Sequence, residues 1–215
     1  MKVNLLPDWI KNWYLNLIRP VINFFIKYNL NPNHFTTLGL ILSIPVAILF
    51  ANGYLRLAGA LMLLGGTFDI IDGKVARATN RVTKFGALYD STLDRYSEVM
   101  IFFGLVYYFI IEWNKTGSSA DLITAVGVAV AIGGSVMTSY VRARAEGLGL
   151  ECKVGIMQRS ERVVFIAFGA IFHHVTLIIA IAVVAVLANI TAVQRLYHIW
   201  STEREKGAQS ISEPN

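Results

Sequence analysis

Cysteine and charge are both scarce in this chain, and each scarcity excludes something. A single cysteine, Cys152, rules out an intrachain disulfide, and no Cys/His cluster has the spacing of a metal site. Charged residues make up 15% of the 215 positions, against about 25% in an average soluble domain. The chain also lacks a detectable internal repeat, so an inverted-repeat transporter has no support. Nor does it open with a signal-peptide core, because Asp8, Lys11, Arg19 and Lys27 break the first apolar run. The formal net charge is +5. Its basic residues sit at the ends of apolar stretches rather than in one solvated stripe, which argues against a nucleic-acid partner.

What the chain does have is apolar sequence in long blocks. Hydrophobic residues are 55% of the total and the mean hydropathy is +0.54, the pattern of a polytopic, all-α membrane protein. Residues 1–30 predict an interfacial amphipathic helix, with Trp, Tyr, Leu, Ile and Phe alternating with Lys, Arg and Asn at helical spacing and a bend at Pro20. Asn31-Pro32-Asn33 then turns the chain into the membrane. Residues 31–200 predict six transmembrane helices, at about 34–53, 55–80, 83–112, 120–147, 159–174 and 175–200. A polar, frayed tail is expected over 201–215. His173-His174, between the last two spans, reads as an interfacial turn. Gly and Ala scattered through 57–66 and 125–134 fit close helix packing.

Lys and Arg cluster before the first span, between the second and third, between the fourth and fifth, and after the sixth. The opposite turns hold little beyond Arg56 and Lys115. The positive-inside rule therefore places both termini and the two basic loops in the cytoplasm, which six spans satisfy and five would not.

Four aspartates interrupt the apolar helical sequence: Asp69, Asp72, Asp90 and Asp94. Each costs about 2.5–3.5 kcal/mol at the centre of a membrane helix, so the four together call for a compensating cation. At 100° per residue, Asp69 and Asp72 lie about 60° apart, and Asp90 and Asp94 about 40° apart on the next helix. A short link makes these helices antiparallel neighbours, so four carboxylates can converge near the cytoplasmic end. Oxygen-only ligation selects a hard ion, Mg²⁺ or Mn²⁺. Gly73, Ala76 and Gly86 share the faces of these pairs. Their small side chains either serve helix packing or leave backbone bare for a flat base or sugar.

The residues read Asp69-x-x-Asp72-Gly73-x-x-Ala76-Arg77, eight further positions, then Gly86-x-x-x-Asp90-x-x-x-Asp94. At every defined position this resembles the signature of the CDP-alcohol phosphotransferases. The resemblance implies a six-helix membrane enzyme, often homodimeric, that binds a CDP-linked lipid and a divalent metal at this motif. It makes Asp69, Asp72, Asp90 and Asp94 the metal site, with Asp94 also the general base. It places Gly73, Ala76 and Gly86 along the nucleotide, Arg77 near the phosphates and Thr36 close by.

The acceptor side resembles the branch that uses inositol phosphate. Arg142, Arg162 and Arg195 match positions that bind the acceptor phosphate there, with Arg159 a further candidate. Guanidinium forks suit a doubly charged phosphate. Arg142 and Arg144, about 200° apart on a helix, cannot both enter one pocket. Arg142 stands where bacterial members commonly have lysine, and Ser160 where proline is common. Glu98, one turn beyond Asp94, either extends the polar face toward the acceptor or pairs with Arg95. The donor implied is CDP-diacylglycerol or its ether analogue, in the plasma membrane of a prokaryote with the site facing the cytoplasm. Two alternatives remain: glycerol-3-phosphate as acceptor, giving phosphatidylglycerol phosphate, and a divalent-cation transporter.

Overall fold

The structure, a computed structural model, describes residues 8–28 and 31–212. Residues 1–7 of the expected N-terminal segment, residues 29 and 30, and residues 213–215 of the expected tail lie outside the described residues. Seven helices account for the described fold, with no strand among them: α1 (Asp8–Lys27), α2 (Pro32–Ala51), α3 (Leu55–Ala78), α4 (Lys84–Thr116), α5 (Ser119–Gly147), α6 (Arg159–Phe172) and α7 (His174–Ser212).

Local sequence accounts for most helix ends. Asn31 caps α2, its side chain accepting from Asn33 N, and Pro32 occupies the first helical position, where a missing N–H costs nothing. Thr83 caps α4 by accepting from Gly86 N at 2.9 Å. That helix ends at Gly117, left-handed at φ +70°. At the start of α6, Gln158 N donates to Glu161 Oε2 at 2.6 Å. Pro20 does not break α1, and α7 runs past Trp200 to Ser212, further than the polar composition of that stretch suggests.

Packing closes six helices into a ring. α2 lies against α3, α3 against α6, α6 against α7, α7 against α5, α5 against α4, and α4 against α2. The core inside it includes Phe50, Met62, Phe102, Leu105, Phe109, Ile166, Leu177 and Ile181. α1 lies outside the ring on α3, where Ile18 and Ile22 join Phe35, Ile71 and Val75 in a second buried cluster. Tyr14 and Thr67 hydrogen-bond across that seam.

The ring modifies one expectation. α3 and α4 are joined by a short link but share no extended interface; each packs instead along α2. A short link restrains only the helix ends it joins. The helices therefore meet at their carboxylate ends and diverge, which leaves a wedge of space between them.

Four helices, α2, α4, α5 and α7, are long and apolar enough to cross a bilayer. α3 and α6 fall short of that standard for physical reasons. α3 carries Arg56, Asp69, Asp72, Lys74 and Arg77, and α6 has 14 residues, about 21 Å, with three charges in its first turn.

His173 is the break between α6 and α7, and His174 is more than a turn residue. Its Nε2 lies 2.8 Å from Asp121 Oδ1 and its Nδ1 2.8 Å from the Tyr108 hydroxyl, which ties α7 to α5 and α4. Asp121 is buried there.

Candidate active site

The signature aspartates stand where α3 and α4 converge. Asp69 and Asp72 occupy successive turns of α3, and Asp90 and Asp94 successive turns of α4. One oxygen from each of Asp69, Asp72 and Asp90 falls within a set spanning at most 4.8 Å. Three carboxylates so close repel one another unless a cation intervenes. Asp72 is the most enclosed, at 5% exposure, and Thr36 on α2 donates to its Oδ2 at 2.9 Å. This hydrogen bond uses one lone pair and orients the other oxygen. Asp90 Oδ1 is buried with no hydrogen-bond partner among the described residues. An orphaned carboxylate oxygen beside two more, in an all-oxygen set, fits a hard divalent ion such as Mg²⁺ or Mn²⁺.

Asp94 stands slightly apart. Its Oδ2 lies 2.7 Å from Arg159 Nη1 and 3.9 Å from Arg95 Nη2. The same Arg159 nitrogen is 2.8 Å from Asp69 Oδ2, so one guanidinium bridges α3 and α4 from the first residue of α6.

Around this centre the small residues leave room. A Cβ added at Gly73 would come within 3.1 Å of Arg77 Nη2, whose side chain folds back across the helix surface. Gly73 is one turn beyond Asp69, and Arg77 one turn beyond Gly73, so the three form a stripe on α3. Ala76, half-buried, lies on the adjacent row. Gly86 sits in the first turn of α4, where a Cβ would meet Thr83 Oγ1 at 2.9 Å and Asn33 Oδ1 at 3.5 Å. Asn31, Asn33, Asn80, Arg81 and Thr83 line a polar recess at this point.

From the carboxylates a cleft of about 740 Å³ runs into the bundle between α1, α2, α3, α4 and α6. Asp69, Asp72 and Asp94 stand at one end, while Val46, Met62 and Phe102 wall the deeper part. Met62 precedes Asp69 by seven residues, about 10 Å along α3. Gly39 on α2 and Gly65 on α3 both line the cleft, and neither has a described atom within 4 Å of where a Cβ would project. A charged head with apolar chains matches this shape, whereas a small polar solute would leave the apolar walls wet.

The four predicted acceptor arginines have different surroundings. Arg162 is 1% exposed; its Nε and Nη2 donate to Glu98 Oε1 and Oε2 at 2.7 and 3.2 Å. Glu98, 7% exposed, also accepts from Arg95 Nη1 at 3.1 Å. The two readings of Glu98 therefore resolve toward pairing, with a second arginine added. Arg195 donates to two backbone carbonyls, Val154 O at 2.9 Å and Thr138 O at 2.6 Å. Arg142 is half-exposed and pairs with Glu146 at 2.8 Å. Arg195 lies within electrostatic reach of both Arg142 and Arg162. The connection between α5 and α6 folds over this group: Met157 N donates to Thr191, and Gly155, at φ +141°, abuts Thr191 and Arg195. Cys152 is buried in it, and burial raises its thiol pKa despite the nearby Arg195 and Arg142. Arg159 alone among the four touches the carboxylate centre.

The hub at Glu98 and the bridge at Arg159 were not derivable from spacing. Glu98 carries a weak signal, one turn past Asp94. Arg159 and Asp69 are 90 positions apart, and no local pattern connects them.

Comparison with known proteins agrees with this geometry. Residues 29–200 match the CDP-alcohol phosphatidyltransferase family. The archaetidylinositol phosphate synthase of Methanothermobacter thermautotrophicus is 36% identical over 204 residues, covering 91% of this chain and 98% of that protein. The phosphatidylinositol phosphate synthase of Mycobacteroides abscessus is 32% identical, covering 86% of this chain and 84% of the other. Among solved structures, the Mycobacterium tuberculosis phosphatidylinositol phosphate synthase with CDP-DAG bound superimposes with a TM-score of 0.72 at 31% identity, over 84% of this chain and 92% of that one. The same protein has been solved with manganese and citrate, again at a TM-score of 0.72. The eight signature residues, their convergence on α3 and α4, and a match over most of the chain lead to one assignment: this is a transferase of the CDP-alcohol phosphatidyltransferase family.

Proposed function

We propose that the chain transfers a phosphatidyl group, or its ether-lipid counterpart, from a CDP-linked lipid to the hydroxyl of an inositol phosphate, releasing CMP. The observation that carries this reading is the cleft itself, with three aspartate oxygens gathered at one end and apolar walls at the other. Lipid chains fill the deep part, the pyrophosphate lies at the carboxylates, and the cytidine reaches over Gly73 and Ala76 toward the polar recess beside Gly86. Arg77 covers the phosphates from the α3 side.

Asp69, Asp72 and Asp90, with Asp94 beside them, would hold the divalent ion, which would supply charge neutralisation for the pyrophosphate. Asp94 then accepts the proton of the acceptor hydroxyl as its oxygen forms the new bond to the lipid-side phosphorus. The bond from that phosphorus to the bridging oxygen breaks, and the electron pair leaves with CMP. The apolar walls exclude water, the competing nucleophile.

The acceptor phosphate lies among Arg142, Arg162 and Arg195 under the α5–α6 connection, with Arg159 at the boundary with the aspartates. Support comes from Arg195, whose hydrogen bonds to Val154 O and Thr138 O go to neutral carbonyls rather than to a carboxylate. The inositol-phosphate relatives named above point the same way. We further propose six membrane spans, with the charged ends of α3 and α6 at the cytoplasmic surface, α1 in the interface and a homodimeric assembly. Closure of α3 and α6, side by side, into one ring with the four longer apolar helices supports the count. A transporter reading gains nothing, because the cleft beyond the carboxylates is apolar.

The test is CMP release by the purified protein supplied with CDP-diacylglycerol and either inositol phosphate or glycerol-3-phosphate. Turnover with inositol phosphate is expected, and turnover with glycerol-3-phosphate alone would overturn the acceptor assignment. EDTA should stop the reaction, and Mn²⁺ or Mg²⁺ should restore it.

A further inference from the structure

Arg159 makes two ion pairs that conflict with the chemistry of the site around it. Its Nη1 lies 2.8 Å from Asp69 Oδ2 and 2.7 Å from Asp94 Oδ2. Asp69 belongs to the carboxylate set that suits a divalent ion, and Asp94 must be unencumbered to accept a proton. A guanidinium and a divalent ion sharing the oxygens of one carboxylate repel each other strongly in a low-dielectric cleft. The same guanidinium also carries a buried Nε with no hydrogen-bond partner among the described residues. Buried donors without acceptors are uncommon in folded proteins, and an unpaired one is costly.

We propose that Arg159 is an exchangeable clamp: it rests on Asp69 and Asp94, and when a divalent ion takes those carboxylates it turns its guanidinium to the phosphate of the acceptor. This deepens the function proposed above and rests on it. The side-on edge of the guanidinium, Nε with one Nη, matches two phosphate oxygens, so the exchange satisfies the orphaned Nε. The position is suitable because Arg159 lines the cleft at the first residue of α6, one turn before Arg162 and in contact with the proposed base. Metal, base and acceptor are thereby coupled. Asp94 is released when the ion is present, and the residue that releases it binds the molecule whose proton Asp94 takes. Metal and acceptor should then strengthen each other's binding by the same factor, as linkage requires.

The experiment measures Mn²⁺ affinity of the full-length protein in detergent by electron paramagnetic resonance, without CDP-lipid, so no turnover occurs. In the wild type, saturating inositol phosphate should tighten Mn²⁺ binding about tenfold, within the usual range of coupling between sites. Arg159→Gln should bind Mn²⁺ more tightly by itself, and inositol phosphate should no longer change that affinity. Loss of a nearby positive charge would explain the first effect without any exchange; the second is decisive. Wild-type linkage that survives intact in Arg159→Gln overturns the proposal, as does absence of wild-type linkage with both inositol phosphate and glycerol-3-phosphate. Should Arg159→Gln fail to fold, Arg159→Lys decides. It keeps the charge but loses the fork, so reduced linkage is expected and unchanged linkage is contrary. A purely structural arginine would shift the unfolding temperature and leave the linkage alone. If glycerol-3-phosphate rather than inositol phosphate produces linkage that Arg159→Gln abolishes, the acceptor assignment fails while the clamp stands.

Discussion

Asp94 and Glu98 are both carboxylates on one face of α4, a turn apart, yet their neighbours give them different work. Asp94 lines the cleft and touches a single close cation, Arg159, at one oxygen. Glu98 is committed at both oxygens, to Arg162 and Arg95. Asp94→Asn keeps the size and removes the proposed proton acceptor. CMP release should therefore fall by at least about a hundredfold, the usual scale of general-base catalysis. CDP-lipid binding, followed by isothermal calorimetry with Mn²⁺ present, should stay within a few-fold of the wild type. Near-normal turnover would move the base elsewhere. Glu98→Leu should act on stability instead, because it leaves Arg162 buried without its counter-charge. A broken buried pair costs about 3–5 kcal/mol, whereas replacing both partners by apolar residues is often neutral. The double variant Glu98→Leu with Arg162→Met should thus recover much of the unfolding temperature lost by Glu98→Leu alone, measured by scanning fluorimetry in detergent. It should not recover activity if Arg162 serves the acceptor.

Helix seams depend on residues too small to keep backbones apart. At the crossing of α4 with α2, a Cβ on Gly104 would lie 2.4 Å from the backbone oxygen of Ala47. At the crossing of α3 with α6, a Cβ on Gly59 would lie 2.7 Å from Ala167 O. Backbone cannot move aside as a side-chain tip can. Gly104→Ala should then cost about 1–3 kcal/mol, the range for overpacking, and lower the unfolding temperature accordingly. Thr37 on α2 and Tyr89 on α4 hydrogen-bond across the same seam at 3.0 Å, each next in sequence to a residue of the site, Thr36 and Asp90, so the variant should lose Mn²⁺ affinity as well. A variant as stable as the wild type would mean that the two helices approach less closely than this. Sequence pattern anticipated the Gly/Ala stretch containing Gly59 but not Gly104, which stands alone among large residues in α4. The caps at Asn31 and Thr83 and the aspartate spacings were legible because they are local. The pairing of helices was not. α2 lying along both α3 and α4, and α6 carrying Arg159 to the aspartates, follow from which surfaces fit once all six helices close the ring. No short stretch of sequence encodes that choice.

For the molecule as a whole, the question is how the ring sits in the bilayer, and the scarcity of cysteine makes it answerable. Cys152 is 1% exposed and can be replaced by alanine to give a background without thiols. Glu151, on the α5–α6 connection, and Lys115, near the end of α4, both have well-exposed side chains, at 83% and 64%. Six spans with cytoplasmic termini put these two positions on opposite sides of the membrane. In intact cells, a membrane-impermeant maleimide should label Lys115→Cys at once and Glu151→Cys only after permeabilisation. Their separation holds wherever in the bilayer the ring sits, because α5 alone lies between the two positions and is long and apolar enough to cross. What the labelling decides is direction. The donor's CDP group and the acceptor phosphate are both highly charged and do not cross a bilayer, so the carboxylate end must face the compartment that holds them. That end lies on the same side as the α5–α6 connection, since Arg159, the first residue of α6, touches Asp69 and Asp94. Labelling of Glu151→Cys from outside intact cells would invert the proposed orientation and expose the signature aspartates to the exterior, a result incompatible with transfer from a cytoplasmic CDP-lipid.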